Sequence, residues 1–271
     1  MVLPSLFLSH GAPTMAIQSN DVTRAWTRLG NALPRPEAIV MISAHWDTST
    51  PLVSGARQPD TIHDFSGFPG ELYEFRYPAK GSPILAQRVQ ASLANAGLAV
   101  EVDAARGLDH GAWVPLKWMY PKADIHVAQV SVQACLGARH HYALGRALAP
   151  MRSGGILVIG SGGIVHNLRE LDWGGKPAVM DWARDFNEWI AQKVEAKALE
   201  DLLDYRRLAP QPSRAHPTEE HFDPFFVAMG AGGFPTEMKG DEVEVAETPG
   251  AERIDLGIDM GSLGMDAWLF H

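Results

Sequence analysis

Three histidines of the sequence stand close behind short apolar segments. His10 and His45 follow such a run almost directly, and His166 follows one after a glycine-rich turn. If these runs are parallel strands, their carboxyl ends meet at one edge of a sheet, where open α/β folds bind ligands. One histidine in this position is more often a hydrogen-bonded structural residue. Three in one chain favour a functional cluster, and neutral imidazole is the commonest side-chain metal ligand.

Three further histidines have polar neighbours that could take part in chemistry. His110 lies in a short polar loop before an apolar helix, and His63 lies in another loop. His221 follows Glu219 and Glu220 at the predicted start of a helix. Acidic residues are common in the first turn of a helix because they interact well with its dipole. The two glutamates therefore have a structural explanation as well as a functional one.

The remaining histidines and the single cysteine stand in no recognisable pattern. We expect Cys135, which has apolar and small neighbours, to be a buried structural thiol. One cysteine allows no intrachain disulfide, which fits a reducing compartment. Surface positions are expected for four histidines: His126, His140, His141 and His271.

Several common catalytic motifs are absent from the sequence. No H-E-x-x-H is present, which excludes the usual metalloprotease helix. The run Gly160–Gly163 resembles a phosphate-binding loop, but it lacks the P-loop lysine, and Val165 stands where a dinucleotide-binding loop needs glycine. Ile159 stands where the nucleophile motif around Ser161 would need glycine. The glycines are therefore expected to form a tight turn below His166.

Predicted strands and helices alternate along the chain, and they must position these residues. Continuous apolar runs are typical of strands covered on both faces, and helical periodicity separates them. Predicted strands are Leu6–Leu8, Ala38–Ser43, His126–Val132 and Ile156–Ile159, with later edge strands at Val243–Ala246 and Arg253–Met260. Predicted helices are Val22–Leu33, Pro83–Ala96, Arg139–Arg152, Val179–Ala198 and Thr218–Gly230, the last with Thr218 as N-cap.

This order predicts an α/β fold, a layered sandwich with a central, mostly parallel but mixed sheet and helices on both faces. We expect one domain over residues 1–271, since no linker or repeat divides the sequence.

Composition narrows the classes of partner. The chain has 271 residues, 23 Lys and Arg against 32 Asp and Glu, and a net charge of −9. An acidic chain without a basic run is a poor candidate for nucleic acid or an anionic membrane. We expect neither a signal peptide nor a transmembrane helix, because the first residues have no basic run and no apolar run reaches about 18 residues. We expect a cytoplasmic monomer or small homo-oligomer.

Six segments in order resemble one known group of enzymes. They are Ser9–Pro13, Ser43–Trp46, Ile62–Pro69, Asp109–Trp113, Val165–Leu168 and Pro217–His221. Together they resemble the DOPA 4,5-dioxygenase-like branch of the class III extradiol ring-cleavage dioxygenases, within the superfamily of the protocatechuate 4,5-dioxygenase catalytic subunit. Each segment alone is unspecific, but their order and spacing are specific. The resemblance runs from about residue 5 to Met260–Leu263.

The resemblance implies a non-haem Fe(II) site that opens a catechol ring with O₂, beside the hydroxyl groups. By the same resemblance, His10, His45 and His221 are metal ligands. His166 is implied as the catalytic acid or base, and His110 as a residue that positions substrate or oxygen. Three protein ligands leave positions open for the substrate, and the two remaining histidines can move protons.

The third ligand departs from the wider superfamily. Protocatechuate-type enzymes complete a facial triad with a carboxylate, whereas His221 matches that position here and Glu220 stands beside it. Glu220 as the third ligand, in place of His221, therefore remains an alternative. A site of three neutral histidines would also suit Zn(II) nearly as well as Fe(II).

Three residues in or beside these segments are expected to bind substrate: His63, Trp46 and Asn167. For the aromatic side chains, core packing is the alternative. Two other functions stay open at this point. One is a zinc-dependent hydrolase of a small amide or ester on the same fold, and the other is a non-enzymatic member that binds a metal or a small aromatic compound. Iron-dependent O₂ uptake separates the dioxygenase from the hydrolase, and loss of open coordination positions would favour the non-enzymatic member.

Overall fold

The computed structural model describes residues 2–172, 174, 178–235 and 250–271. Within these ranges, eight strands form one mixed sheet and two short strands form a second. In chain order the strands are β1 (Ser5–Ser9), β2 (Ala38–Asp47), β3 (Leu52–Ser54), β4 (Glu101–Asp103), β5 (His126–Val132), β6 (Ile156–Gly162), β7 (Ala251–Ile254), β8 (Ile258–Asp259), β9 (Leu263–Gly264) and β10 (Ala267–Phe270).

The helices lie between and after these strands. They are α1 (Asp21–Ala32), α2 (Glu71–Glu74), α3 (Pro83–Asn95), α4 (His110–Met119), α5 (Gly137–Leu148), α6 (Asp181–Glu195), α7 (Leu199–Leu203), α8 (Tyr205–Leu208), α9 (Pro212–Ala215) and α10 (Asp223–Gly232). Over the described ranges, no helix combines the length and the apolarity that crossing a membrane requires.

The large sheet has the order β4-β3-β5-β2-β6-β1-β10-β7. Its centre is parallel, because β2 pairs in parallel with both β5 and β6, and β6 pairs in parallel with β1. Strands β10 and β7 extend the sheet antiparallel beyond β1. The predicted α/β fold with a mostly parallel, mixed sheet is confirmed.

Alternate residues of the central strands enter two different cores. On β2, Ile39 and Met41 pack on the side of α1 and α4, while Val40 and Ile42 pack on the side of α3, α5 and α10. All four are fully buried. Because both faces are covered, the strand sequence is apolar throughout instead of alternating.

The predicted helix Thr218–Gly230 is wrong at its start. The helix begins at Asp223, its N-cap is Phe222, and Pro224 lies in the first turn. A helix that began at residue 218 would have Pro224 in its interior, where proline lacks the N–H and clashes with the preceding turn. Thr218 instead donates a hydrogen bond from Oγ1 to Glu220.

The two late edge-strand predictions have different outcomes. Val243–Ala246 lies outside the described residues. Arg253–Met260 is divided, because β7 ends at Ile254 on the edge of the large sheet and β8 pairs with β9 in the small one. The short strands β3 and β4 and the buried strand β10 are additions to the predicted set.

Two burial predictions are wrong. Cys135 is exposed, since it lies in a 3₁₀ turn after the carboxyl end of β5. His141 is fully buried, because it lies on the stripe of α5 that also buries Ala138 and Leu144. Its Nε2 accepts a hydrogen bond from a backbone N–H, and its Nδ1 lies 3.1 Å from the buried carboxylate of Asp223.

Helices α5 and α10 pack unusually closely behind the sheet. A Cβ atom added to Gly145 would overlap the carbonyl oxygen of Val227, and one added to Gly230 would overlap that of Tyr142. Glycine at both positions lets the two backbones touch. This contact fixes α10, whose first residues follow His221 directly.

We predict that Gly145→Ala lowers the free energy of unfolding by about 1–3 kcal/mol, the usual effect of overpacking a filled core. Gly70→Ala is the matched control, since an added Cβ there has no neighbour within 4 Å. It should change stability by no more than about 0.5 kcal/mol. Urea unfolding followed by circular dichroism measures both, and equal midpoints for the two variants would contradict the close packing of α5 and α10.

Candidate metal centre

Three parallel strands bring two of the candidate ligands, His10 and His45, to one edge of the sheet. Strand β6 lies between β1 and β2, so Ser161 is paired with Leu8 on one side and Ser43 on the other. His10 follows the end of β1, and its backbone N–H donates to the carbonyl of Gly162. His45 lies near the end of β2. The carboxyl ends therefore meet where the sequence predicted.

The imidazoles of His10, His45 and His221 converge on one point. The Nε2 atoms of His10 and His45 lie 3.0 Å apart. One ring nitrogen from each of the three residues lies within 4.8 Å of the others. His10 and His221 are buried, and His45 is partly exposed. This is the spacing of donors that share a single ion.

Hydrogen bonds at His10 define its tautomer. Its Nδ1 lies 3.0 Å from Ser161 Oγ, and Ser161 Oγ donates its own proton to the carbonyl of Gly111 at 2.5 Å. The hydroxyl oxygen must therefore accept a hydrogen bond from Nδ1–H of His10. A neutral imidazole with the proton on Nδ1 has its lone pair on Nε2, which here faces the point of convergence.

His221 has the same arrangement with a carboxylate. Its Nδ1 lies 3.0 Å from Glu220 Oε1, which also accepts from Thr218. Its Nε2 is buried and has no hydrogen-bond partner in the described part of the chain. Buried polar atoms without partners are rare in folded proteins. This nitrogen therefore fits a metal ligand, while Glu220 contacts the opposite side of the ring.

Burial keeps these imidazoles neutral. It lowers the pKa of His10 and of His221 well below the usual value, and neighbouring histidines lower both further. Burial, then the neighbouring His110, lowers the pKa of His45 to about 4. A metal binds the deprotonated form of its ligands. The cluster is thus in its metal-binding form at neutral pH.

His166 and His110 stand on either side of the three converging histidines. The ring of His166 stacks on that of His221, with centroids 3.4 Å apart and planes 7° from parallel. Burial lowers the pKa of His166 to about 3. His110 begins α4, and its ring lies 3.9 Å from that of His45. Its Nδ1 lies 3.0 Å from the carboxylate of Asp64.

All five histidines line one cavity of about 400 Å³. The rest of the lining is mainly apolar, and its members include Pro13, Phe65, Phe68, Leu168, Met260 and Met265. Pockets of this size and character hold small organic ligands.

Three predicted substrate-binding residues lie outside this cavity wall. His63 contacts the carbonyl of Phe75 through Nε2 at 3.0 Å. The ring of Trp46 lies below the guanidinium of Arg106. Asn167 caps a 3₁₀ turn, and its amide donates to the carbonyl of Arg214. None of the three lines the cavity, and a direct contact of each with substrate stays a prediction.

Two residues of the site, Asp64 and Ser161, have little signal in the sequence. Asp64 contacts both His45 and His110, and Ser161 accepts a hydrogen bond from His10. Asp64 directly follows His63, for which the family motif favours the functional role. Ser161 lies in a glycine run that by itself indicates only a tight turn. Both contact the Nδ1 side of a histidine ring, away from the point of convergence, and no local sequence pattern predicts such contacts.

Comparisons with known proteins identify the family of the chain. The family described as the catalytic LigB subunit of aromatic ring-opening dioxygenase matches residues 3–254. The 4,5-DOPA dioxygenase extradiol of Beta vulgaris is 45 % identical over 237 residues, covering 84 % of this chain and 87 % of that protein. The enzyme of the same name from Escherichia coli (strain K12) is 40 % identical over 272 residues, covering 97 % and 93 %.

A solved structure extends the likeness to three dimensions. The crystal structure of an uncharacterized protein from Escherichia coli K12 superposes with a TM-score of 0.79 at 34 % identity, covering 99 % of this chain and 100 % of that one. Family match, relatives and fold therefore agree with one another. The chain belongs to the LigB family of aromatic ring-opening dioxygenases and is a metal-dependent extradiol dioxygenase that cleaves a catechol-like ring with O₂.

Proposed function

We propose that the enzyme uses Fe(II), held by the Nε2 atoms of His10, His45 and His221. The observation that carries this proposal is the convergence of three neutral imidazoles, one of which has a buried nitrogen without a partner in the described ranges. Three protein ligands leave coordination positions open. When bound, the metal would lower the pKa of the catechol and bring it together with O₂. Zn(II) could occupy the same donor set, but it has no redox chemistry.

His166 and His110 are the groups proposed to move protons. Both line the cavity beside the proposed ligands. His166 is neutral, so it has a lone pair that can accept the second hydroxyl proton of the catechol. A negatively charged substrate next to it would stabilise the imidazolium that forms. His110 stands on the other side, where it can orient substrate or oxygen and return a proton.

The substrate is proposed to be a DOPA-like catechol. Several relatives carry the name 4,5-DOPA dioxygenase extradiol, and the cavity has room for one substituted ring. The apolar wall around Phe65 and Phe68 would hold the ring face and keep water from the reacting carbons. A monomer or small homo-oligomer stays a prediction, because the single chain does not test it.

Anaerobic reconstitution with Fe(II), followed by L-DOPA and other catechols in air, tests the function. We expect a yellow ring-cleavage product and one O₂ consumed per catechol. The same protein loaded with Zn(II) should give neither. Hydrolysis of small esters or amides by the zinc form, without ring cleavage by the iron form, would support the hydrolase instead.

Substitutions of the adjacent residues His221 and Glu220 test which of the two is the third metal ligand. We predict that His221→Ala abolishes tight metal binding. Glu220→Ala should keep about one metal ion per chain at saturating Fe(II), with affinity weakened by no more than about 10–100-fold, as for other contacts behind a ligand. Metal analysis after gel filtration, with thermal unfolding to verify the fold, measures both. Loss of the metal in Glu220→Ala, with metal retained in His221→Ala, would instead indicate a triad of two histidines and a carboxylate.

For His166 we predict a role in proton transfer. His166→Ala should keep metal content near that of wild type and lower turnover by about 10²–10⁴-fold, the usual size of general acid–base effects. His126→Ala is the control, since His126 is exposed at the start of β5. Loss of metal together with activity in the His166 variant would make His166 a ligand.

A further inference from the structure

Asp64 lies behind two imidazoles of the site at once. Its Oδ1 is 3.0 Å from Nδ1 of His110 and accepts a hydrogen bond from the backbone N–H of the same residue. Its Oδ2 is 3.4 Å from Nδ1 of His45. The two rings lie 3.9 Å apart, centre to centre. One carboxylate therefore faces the same edge of both.

Asp64 presents a negative charge to both rings, since aspartate carboxylates are ionised at neutral pH. Its side chain is 22 % exposed, so the charge is only partly screened by water. Neither contact is aligned as a hydrogen bond, because Nδ1 of His110 has no hydrogen-bond partner in the described part of the chain and Nδ1 of His45 lies 3.4 Å from the carboxylate. The charge therefore acts electrostatically, and it favours the proton of a neutral ring on Nδ1, the nitrogen beside the carboxylate.

This choice of tautomer has a consequence at the opposite side of each ring. A neutral imidazole carries one proton, so a proton on Nδ1 leaves a lone pair on Nε2. For His45 that lone pair faces Nε2 of His10, at the proposed metal position. For His110 the other nitrogen is left for the cavity that the ring lines.

We propose that Asp64 is a positioning residue that fixes the Nδ1–H tautomer of both His45 and His110, so that one lone pair serves the metal and the other serves substrate. This rests on the proposed roles of the two histidines. Asp64 thereby links metal binding to substrate binding, because the same charge favours one tautomer in the proposed metal ligand His45 and in the neighbouring His110. Outer contacts of this kind typically change metal affinity or activity by about 10–100-fold when they are removed.

Asp64→Asn is the decisive substitution. The amide keeps one oxygen for the backbone N–H of His110, so the local chain path is preserved. Its second group is a donor and not an acceptor, so it cannot favour Nδ1–H on both rings. Asp60→Asn is the matched control, because it removes the same charge from an exposed position in the same loop.

The first measurement uses metal-free protein with ¹⁵N-labelled histidine. Long-range ¹H–¹⁵N spectra distinguish the two tautomers, and spectra of His45→Gln and His110→Ala assign the signals. We expect Nδ1–H at both residues in wild type and in Asp60→Asn, and a changed tautomer at one or both in Asp64→Asn. Identical tautomers in wild type and Asp64→Asn would overturn the proposal, whatever the activity.

The second measurement uses iron-loaded enzyme with L-DOPA and verified metal content. We expect Asp64→Asn to lower kcat by about 10–100-fold with KM within about two-fold of wild type. In a His110→Ala background the same substitution should cost less than about three-fold, since part of its target is gone. A raised KM with unchanged kcat would mean direct substrate contact, and iron that saturating Fe(II) cannot restore would make Asp64 a ligand. Either result overturns the positioning role.

Equal turnover by wild type and His110→Ala would instead count against the proposed function of His110. The tautomer spectra of metal-free protein would still decide the role of Asp64. The two failures are therefore distinguishable.

Discussion

The lone pairs of His10, His45 and His221 point at one position and repel one another, so neighbouring groups must hold the three rings in place. Each ring of the cluster has a partner at the nitrogen that faces away: Ser161 at His10, Glu220 at His221 and Asp64 at His45. A cation at the point of convergence would turn this repulsion into binding. Because burial opposes protonation of the rings, protons do not relieve the repulsion at neutral pH.

The order of the sheet makes this arrangement possible. Placing β6 between β1 and β2 inserts Ser161 between the strands that carry His10 and His45. Gly11 then turns the chain with a positive φ of 62°, a conformation that other residues adopt only with strain. A side chain there would also press on Met265 in the cavity wall. The strand ends therefore carry the proposed metal ligands, and the glycine beside His10 leaves room for a bound molecule.

How far the sequence predicts this structure depends on how local each signal is. Continuous apolar runs before His10 and His45 are local, and they predict both the buried parallel strands and the shared edge. His221 lies in a segment without regular structure, and only the family motif indicated its role. The contacts of Asp64 join a loop to β2 and to α4, so no window of sequence contains them. His141 is buried although a histidine is usually exposed, because it lies on the apolar stripe of α5 and its position on the helix outweighs its polarity.

The pairing of β1 with β10 also bears on how the protein is made. Ser5 and Phe270 are hydrogen-bonded neighbours across a sequence separation of 265 residues. At a synthesis rate of roughly 5–20 residues per second, the ribosome adds β10 on the order of ten to fifty seconds after β1. During that interval β1, whose five residues are all buried in the folded protein, has an open edge, and an unpaired edge is a site of strand-to-strand aggregation. The strand that leads to His10 thus acquires its last neighbour late, and chaperone capacity and growth temperature become determinants of how much enzyme a cell recovers in active form.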